Sequence, residues 1–274
     1  MPDETPQHLR RTVPLVKTSP ASRGYLFAYT IWNKADMVPL IFGSVLDSFG
    51  PEDAGLLFVF DSPEDDAPGM YHRYRVNAAY GYQCGAIVNE RDEWYESGSH
   101  NAAIGYFLGS PLYHTLVVFQ DDQRLRPGNQ LLDHLDRLRG EYGQTLGVIS
   151  GREGWEPGGR EIVSGPSSGS NVDSMKIPVG AFQARTLQNR GPIVYPRHVV
   201  ERVGSLDLSR FRIWHAEVDY SYRAAQCGFV NGVLGMDLAH RAIGKVTASR
   251  TYQGQEAADR ERLYEKHGRR DLLP

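Results

Sequence analysis

The sequence predicts an α/β fold, because short apolar strands and amphipathic helices alternate along it. Residues 25–31 and 56–60 are rich in aromatic and β-branched side chains, which is typical of buried strands. Between them, residues 36–49 carry apolar side chains at helical spacing, and Gly50 with Pro51 ends that predicted helix. A strand, a helix and a second strand in this order begin a layered α/β sheet.

The rest of the chain continues this alternation. Residues 115–119 form the clearest apolar run and lead directly into two aspartates. The other segments predicted as regular structure are strands at 71–76, 85–88, 146–149, 193–196 and 230–234, and helices at 101–108, 131–138, 197–203, 217–226 and 250–270. Residues 151–173 lose all periodicity and are rich in Gly, Ser and Pro, which predicts a long loop, and residues 236–240 also indicate a loop.

The composition disfavours several classes of protein. The 274 residues carry a formal net charge of -3 with both signs interspersed, unlike the basic footprint of a nucleic-acid-binding protein. Cys84 and Cys227 provide neither a disulfide framework nor a CxxC metal site, which suits a reducing compartment. No apolar run reaches the ~18 residues of a membrane helix, and residues 1–24 predict a flexible polar leader. We therefore expect a cytoplasmic protein with no integral membrane span, and we leave open whether it forms a homodimer.

Carboxylates follow two of the predicted strands. Asp121 and Asp122 come directly after residues 115–119, and Asp61 comes directly after residues 56–60. Ligands of open α/β sheets bind beyond the carboxyl ends of the strands, where paired carboxylates suit a hard divalent cation. A carboxylate such as Asp61 can accept hydrogen bonds from a base or a ribose. A solvated turn explains both places equally simply, so these residues alone leave the choice open.

A second acidic pair lies at the start of a predicted helix. Glu217 and Asp219 are two residues apart, where carboxylates interact favourably with the helix dipole. Arg223 follows Asp219 by one turn and provides a structural partner for either acid. Capping explains this pair without any catalytic role, and a lone histidine such as His240 is more often structural than a ligand.

The order of these segments resembles that of the family 2 glycosyltransferases, which are inverting enzymes with the GT-A fold. The resemblance is diffuse and spans residues 25–268. It is carried by an opening strand and asparagine turn (29–34), a second strand ending in Asp61, residues 101–105, a DXD-like segment (117–122) followed by Pro127, residues 197–204 with Asp207, an ED-like segment (217–223) followed by Gly228 and Phe229, His240 with Gly244, and residues 264–268.

This resemblance implies a GT-A type, Rossmann-like α/β sandwich with a mixed, mostly parallel central sheet flanked by helices. Residues 25–249 would then form one catalytic domain. Its nucleotide-binding half would be residues 25–125 and its acceptor-binding half residues 126–249. Residues 250–274 would form a C-terminal helical tail.

The resemblance also implies roles for individual residues. Glu217 or Asp219 would be the catalytic base, while Asp122 and His240 would hold a divalent cation, either Mn²⁺ or Mg²⁺. The residues implied in binding the nucleotide sugar are Thr30, Asn33, Asp61, Asn101 and Asp121. Two positions depart from the family pattern, because Gln120 replaces the first DXD acid and the ED segment is Ala216-Glu217.

The expected activity is that of a hexosyl- or deoxyhexosyltransferase. It would move a sugar from a nucleoside-diphosphate sugar to a hydroxyl of a carbohydrate or small-molecule acceptor, by single displacement with inversion. Gln120 favours one alternative, a catalytically degenerate GT-A domain that binds a carbohydrate or a partner. A nucleotidyltransferase is disfavoured because residues 25–33 contain no glycine-rich basic loop. Residues 165–169 match G-x-S-x-G in spacing only, because the sequence predicts neither a strand before them nor a helix after them.

Overall fold

The structure is a computed structural model of the chain. It describes residues 23–61, 63–77, 81–90, 95–159, 162–164, 175–189, 191–211, 213–240 and 253–273. The predicted leader at 1–24, apart from its last two residues, lies outside the described part. So does much of the segment 151–173 that the sequence predicts as a loop.

Strands and helices alternate through the first half of the chain, and short strands dominate the middle. The strands are β1 Tyr25–Ile31, β2 Ala54–Asp61, β3 Cys84–Asn89, β4 Thr115–Phe119, β5 Gln123–Leu125, β6 Leu146–Ser150, β7 Glu153–Trp155, β8 Ile162–Ser164, β9 Met175–Ile177, β10 Phe182–Ala184, β11 Leu187–Asn189, β12 Ile193–Pro196, β13 Val230–Leu234 and β14 Leu238–His240. The helices are α1 Met37–Leu46, α2 Ala67–Asn77, α3 Tyr95–Leu108, α4 Leu131–Tyr142, α5 Arg197–Val203, α6 Ala216–Gln226 and α7 Gln253–His267.

The central sheet has eight strands in the order β10-β13-β6-β12-β4-β1-β2-β3. Strands β4, β1, β2 and β3 run parallel to one another, and β13 runs parallel to β6. Only β12, between β4 and β6, and β10 at the edge pair in the antiparallel sense within this sheet. The sheet is therefore mixed and mostly parallel, which confirms the predicted fold class. A four-stranded sheet, β11-β7-β8-β9, and a β14-β5 pair accompany it.

Helices cover both faces of the central sheet, and strand β1 shows how the sequence produces this. All seven of its residues are buried. Phe27 and Tyr29 pack on the face covered by α1, α2 and α4, while Leu26 and Ala28 pack on the face covered by α3, α5 and α6. Successive side chains of a strand point to opposite faces, so a continuously apolar strand needs apolar partners on both sides.

The prediction of a strand at residues 71–76 is wrong, because this segment belongs to helix α2. Tyr71 and Tyr74 are three residues apart and both stack on Phe42 of α1, which is the contact pattern of one helical face. Val76 points away and is 74% exposed. Aromatic and β-branched residues favour strands locally, but packing against α1 decides the conformation here.

Three further boundaries differ from the sequence-based expectation. Residues 238–240 form strand β14 rather than a loop, because they pair with β5. The predicted loop at 151–173 contains β7 and β8, which pair with each other. Helix α3 begins at Tyr95, six residues before the predicted start at Asn101. The tail forms a helix as predicted, α7.

Candidate active site

The candidate site lies at the carboxyl-terminal edge of the parallel strands. The register aligns Ile31 of β1 with Phe60 of β2, and Tyr29 of β1 with Phe119 of β4. The segments that follow these three strands therefore leave the sheet at the same edge, which is where open α/β sheets bind ligands.

Three helix or turn starts at this edge have unusual backbone geometry. Among the described residues, the non-glycine residues with positive φ are Asn33 (48°), Tyr95 (56°) and His215 (65°). Asn33 follows β1, Tyr95 begins α3, and His215 directly precedes α6. Such conformations cost about 1–3 kcal/mol each and persist only where the surroundings fix them. Their positions show that the chain is bent sharply where its polar side chains enter this edge.

Gln120, at the first position of the DXD-like segment, is fixed by hydrogen bonds on both sides. Its backbone N–H donates to Oε1 of Gln123 (3.0 Å), and Nε2 of Gln123 donates to Oε1 of Gln120 (3.0 Å) and to the Gly191 carbonyl (2.6 Å). Nε2 of Gln120 in turn donates to Oε1 of Glu96 at 2.7 Å. The amide thus joins the turn after β4 to the first turn of α3, a contact that a carboxylate at position 120 would not make without a proton.

The two aspartates of this turn have different surroundings. Asp121 accepts a hydrogen bond at 2.7 Å from Lys34, which follows β1, so its charge is paired. Asp122 comes next and leads into β5, whose Gln123 pairs with His240 of β14. The backbone of His240 therefore lies next to the segment that carries Asp122. The side chain of His240 lies outside the described part of the structure.

Glu96, His100 and Glu217 form a compact cluster at the same edge. One potential ligand atom from each residue lies within 4.8 Å of the other two. Nε2 of His100 is 3.8 Å from Oε1 of Glu96, and Nδ1 of His100 is 2.9 Å from the hydroxyl of Tyr195. His100 and Glu217 are buried, whereas the side chain of Glu96 is 36% exposed. The cluster joins the first two turns of α3 to the first turn of α6.

Charges at this edge influence one another. Burial raises the pKa of Glu96 to about 8, and the carboxylates of Glu217, Asp121 and Asp122 add to that increase while the hydrogen bond from Gln120 opposes it. Burial also raises the pKa of Glu217. Carboxylates from α6 and from the turn after β4 therefore both influence the ionisation of Glu96. We call Glu96, Asp121, Asp122 and Glu217 the acidic pocket.

Asp219, two residues after Glu217, belongs to a different environment. Its carboxylate is fully buried and contacts Nε of Arg223 at 2.9 Å, Nζ of Lys266 at 2.6 Å and Nε2 of His267 at 2.9 Å. Burial alone would raise the pKa of Asp219, but the hydrogen bonds from His267 and Lys266 and the charge of Arg223 outweigh burial and lower it. Asp219 thus connects α6 to the C-terminal helix α7, and we call these four residues the tail network.

The remaining residues predicted to bind a nucleotide sugar occupy varied surroundings. Thr30 is buried in β1 and donates to the Phe119 carbonyl, and Oδ1 of Asn33 accepts from the backbone N–H of Glu64. Asp61 ends β2, is 4% exposed, and accepts hydrogen bonds from Asn89 and from the backbone N–H of Tyr95. The amide of Asn101 exchanges two hydrogen bonds with the backbone of Leu206, and so connects α3 to the segment after α5.

Sequence reasoning missed Glu96 and His100. The helix was predicted to begin at Asn101, so both residues fell before it. A weak signal was present, since a glutamate and a histidine four residues apart face the same side of a helix. Their meeting with Glu217 depends on tertiary structure alone.

Comparison with solved structures identifies the fold. PcManGT, a mannosyltransferase from Pyrobaculum calidifontis solved with GDP-Man and Mn²⁺, matches with a TM-score of 0.57 and 11% identity over 93% of this chain and 67% of its own. TarS 1-349 from S. aureus with UDP-GlcNAc matches with a TM-score of 0.57 and 12% identity over 88% and 70%. GalNAc-T7 with UDP, GalNAc and Mn²⁺ matches with a TM-score of 0.59 and 11% identity over 82% and 44%. No protein-family profile and no curated protein sequence matches the chain.

These structures are GT-A glycosyltransferases, and the chain has the GT-A fold that its sequence resembles. The match covers less than half of the GalNAc-T7 chain. Within the described residues, no helix is long and apolar enough to cross a membrane.

Proposed function

We propose that the protein is an inverting glycosyltransferase that moves a sugar from a nucleoside-diphosphate sugar to an acceptor hydroxyl. The observation that supports this most is the acidic pocket. Glu217, in the first turn of α6, has a carboxylate oxygen within 4.8 Å of one of Glu96, and Gln120, directly before the two aspartates, donates to Glu96 at 2.7 Å. These contacts lie at the ligand-binding edge of a GT-A fold. Transfer to a hydroxyl needs a base near the acceptor and a stabilised leaving group. Glu217 on one side of the acidic pocket is suited to act as the base, and the aspartates after β4 on the other side are suited to hold a cation that stabilises the leaving group.

Glu217 is the proposed base. Glu217 is 8% exposed as a residue, and burial raises its pKa, so it binds a proton more readily than an ordinary glutamate does. A general base works best when its pKa lies close to the working pH. Asp219 has the opposite properties, since Arg223, Lys266 and His267 contact its carboxylate and lower its pKa. We therefore assign proton removal to Glu217 and a structural role to Asp219.

A divalent cation, Mn²⁺ or Mg²⁺, fits the turn after β4. Asp121 is already paired with Lys34, which favours Asp122 as the carboxylate ligand. The β5–β14 pair brings the backbone of His240 next to this turn, and His240 is proposed as the second ligand. When bound, the cation neutralises the negative charge that develops on the diphosphate leaving group. The acidic pocket around Asp122 favours a cation electrostatically.

The nucleotide sugar is proposed to lie across the ends of β1, β2 and β4. Asn33 and Asp61 lie at the ends of β1 and β2, at the same edge as the acidic pocket, and are proposed to face the base and ribose. Thr30 and Asn101 are proposed to act by positioning, because their side chains bond to backbone groups of neighbouring elements. A hexosyl or deoxyhexosyl donor and a carbohydrate or small-molecule acceptor remain the proposed substrate classes.

Glu217→Gln tests the assignment of the base. A glutamine keeps the size of the side chain but cannot accept the proton, so kcat should fall by about 10²–10⁴-fold. Binding of UDP and GDP, measured by calorimetry with Mn²⁺, should stay within a few-fold of the original protein. The exposed Glu201→Gln is the matched control and should keep full activity. Undiminished turnover in Glu217→Gln would exclude Glu217 as the base.

Gln120 favours a second candidate function, a GT-A domain that binds a carbohydrate or a partner without catalysis. Its amide is held by Gln123 and bonds to Glu96, so this position contributes no carboxylate to a cation. Hydrolysis of UDP- and GDP-sugars, measured with Mn²⁺ and with EDTA, distinguishes the two candidates. An enzyme releases the nucleoside diphosphate slowly and only with metal, whereas a binding domain releases none under either condition.

A further inference from the structure

The cluster of Glu96, His100 and Glu217 has a donor set different from that of the turn after β4. It offers one imidazole nitrogen and two carboxylates, all within 4.8 Å of one another. Glu96 and His100 are four residues apart on α3 and so face the same side, and Glu217 meets them from α6. Two helix starts therefore converge on one small volume.

His100 shows an unsatisfied coordination position. Its side chain is fully buried, and Nε2 has no hydrogen-bond partner among the described residues. In the tautomer whose Nδ1 donates to Tyr195, the lone pair of Nε2 faces the carboxyl group of Glu96 at 3.8 Å. A lone pair and a carboxylate repel each other unless a cation or a proton lies between them.

Outer contacts hold two of the three side chains in place. The Tyr195 hydroxyl contacts Nδ1 of His100 at 2.9 Å, and Gln120 donates to Glu96 at 2.7 Å. Metal-binding histidines and carboxylates in proteins are usually oriented by such second hydrogen bonds. The partly exposed Glu96 also gives the cluster a path to solvent.

We propose that Glu96, His100 and Glu217 form a second cation site, specific for a transition-metal ion such as Zn²⁺, and that its occupation inhibits the enzyme. Three protein ligands with a fourth position open to water are typical of accessible zinc sites. Imidazole nitrogen favours Zn²⁺ and Co²⁺, whereas Mg²⁺ prefers oxygen ligands throughout. The binding part of this proposal is independent of sugar transfer, but the inhibition rests on the proposed role of Glu217.

Inhibition follows from the identity of the third ligand. A carboxylate that donates a lone pair to Zn²⁺ is much less available to accept a proton from an acceptor hydroxyl. Zn²⁺ at this cluster would therefore slow transfer even when the site at Asp122 is filled with Mg²⁺. The inhibition would be reversed by a chelator selective for Zn²⁺.

Titration of the 274-residue chain with Co²⁺, in saturating Mg²⁺, tests the binding site. Co²⁺ replaces Zn²⁺ and absorbs visible light strongly in a low-coordinate site but weakly as the hydrated ion. We expect saturable absorption at one Co²⁺ per chain, and at least about 10-fold weaker affinity in Glu96→Gln and in His100→Gln. Asp122→Asn should retain the absorption, and the exposed His72→Gln and Glu201→Gln serve as controls.

Each outcome decides the proposal, provided that circular dichroism shows each variant folded. The second site would be overturned if Co²⁺ produced no saturable absorption, or if only Asp122→Asn abolished the absorption. In either case the three side chains would hold a shared proton instead of a cation. Co²⁺ binding without inhibition of transfer by Zn²⁺ would overturn the inhibitory role. If the chain proves to have no transferase activity, the Co²⁺ titration still tests the binding site.

Discussion

The acidic pocket and the tail network differ sharply although the same helix turn supplies both. Glu217 and Asp219 are two residues apart in α6, so they point to nearly opposite sides of the helix. Glu217 meets Glu96 and His100, whereas Asp219 meets the cations Arg223 and Lys266 together with His267. Burial raises the pKa of the first, while ionic hydrogen bonds overcome burial and lower the pKa of the second. Burial is common to both carboxylates, so the charged partners of Asp219 account for the opposite direction of its pKa shift.

Asp219→Asn should have the largest effect on stability. Removing one partner of a buried ionic network typically costs about 3–5 kcal/mol, because the remaining charges lose their compensation. Asp219 is fully buried, so this range applies to it. We expect a loss near its lower end, because Lys266 keeps a second contact with Asp207 when Asp219 is neutral. Urea unfolding followed by circular dichroism measures it. Asp133→Asn, at an exposed ion pair with Arg23, should change the free energy of unfolding by less than about 1 kcal/mol.

The same variant should change the response to acid. Because the pKa of Asp219 is lowered in the folded protein, its stabilising contribution is present above about pH 4 and is lost as the pH falls further. Asp219→Asn should therefore unfold with a shallower dependence on pH in the acid range. An unchanged acid profile would mean that the tail network contributes nothing to stability.

Asn101→Ala should have an intermediate effect on stability, and it distinguishes a role in positioning α3 from direct contact with the nucleotide sugar. Loss of both hydrogen bonds to the Leu206 backbone should destabilise the protein by about 1–3 kcal/mol. If Asn101 only positions α3, the KM for the donor should stay within a few-fold of the original value. A large increase in KM without a loss of stability would instead place Asn101 in contact with the nucleotide sugar.

Glu96→Gln should have the smallest effect on stability, and the size of this effect should depend on pH. The folded protein holds the proton of Glu96 up to about pH 8, whereas an ordinary glutamate loses it near pH 4.5. Stability from this group is therefore complete below pH 4.5 and declines as the pH rises towards 8. Glu96→Gln removes that decline, so its Tm should exceed that of the original protein by a few degrees at high pH, and by less in mild acid.

This comparison needs EDTA throughout, because a bound cation would also stabilise the ionised pocket. Glu201→Gln, whose side chain is 57% exposed, is the control and should show no such trend with pH. A Tm difference that grows towards acid pH would contradict the assigned environment of Glu96. The exposed fraction of Glu96 keeps the expected effect small, since water screens its neighbours.

Local patterns were sufficient for the sheet but not for the pocket. The runs that became β1, β2 and β4 are apolar enough to require burial on both faces, and their carboxyl ends place Asp61, Asp121 and Asp122 at one edge. The resemblance placed Glu217 and Asp219 in one motif but left both as candidate bases. Glu217 and Asp219 differ because the first contacts α3 and the second contacts α7. Both helices are distant from α6 in sequence, and no local pattern in them predicts these contacts.

Where the prediction failed, packing overruled local preference. Residues 71–76 have side chains that favour a strand, yet Tyr71 and Tyr74 gain stacking on Phe42 only as a helix. Residues 238–240 have no strand pattern of their own and are extended because β5 pairs with them. Glu96 and His100 were missed because no Ser, Thr, Asp or Asn stands directly before Tyr95 in the sequence to indicate a helix start.

The antiparallel insertion of β12 has a consequence for synthesis on the ribosome. Strand β4 is buried on both faces, and its second edge is completed only by residues 193–196. Until those residues emerge, the nascent chain exposes an apolar strand with unpaired amide and carbonyl groups, which is a template for aggregation. Truncations that end before residue 193 should therefore be insoluble, so dissection of this protein into expressible halves at the middle of the chain should fail.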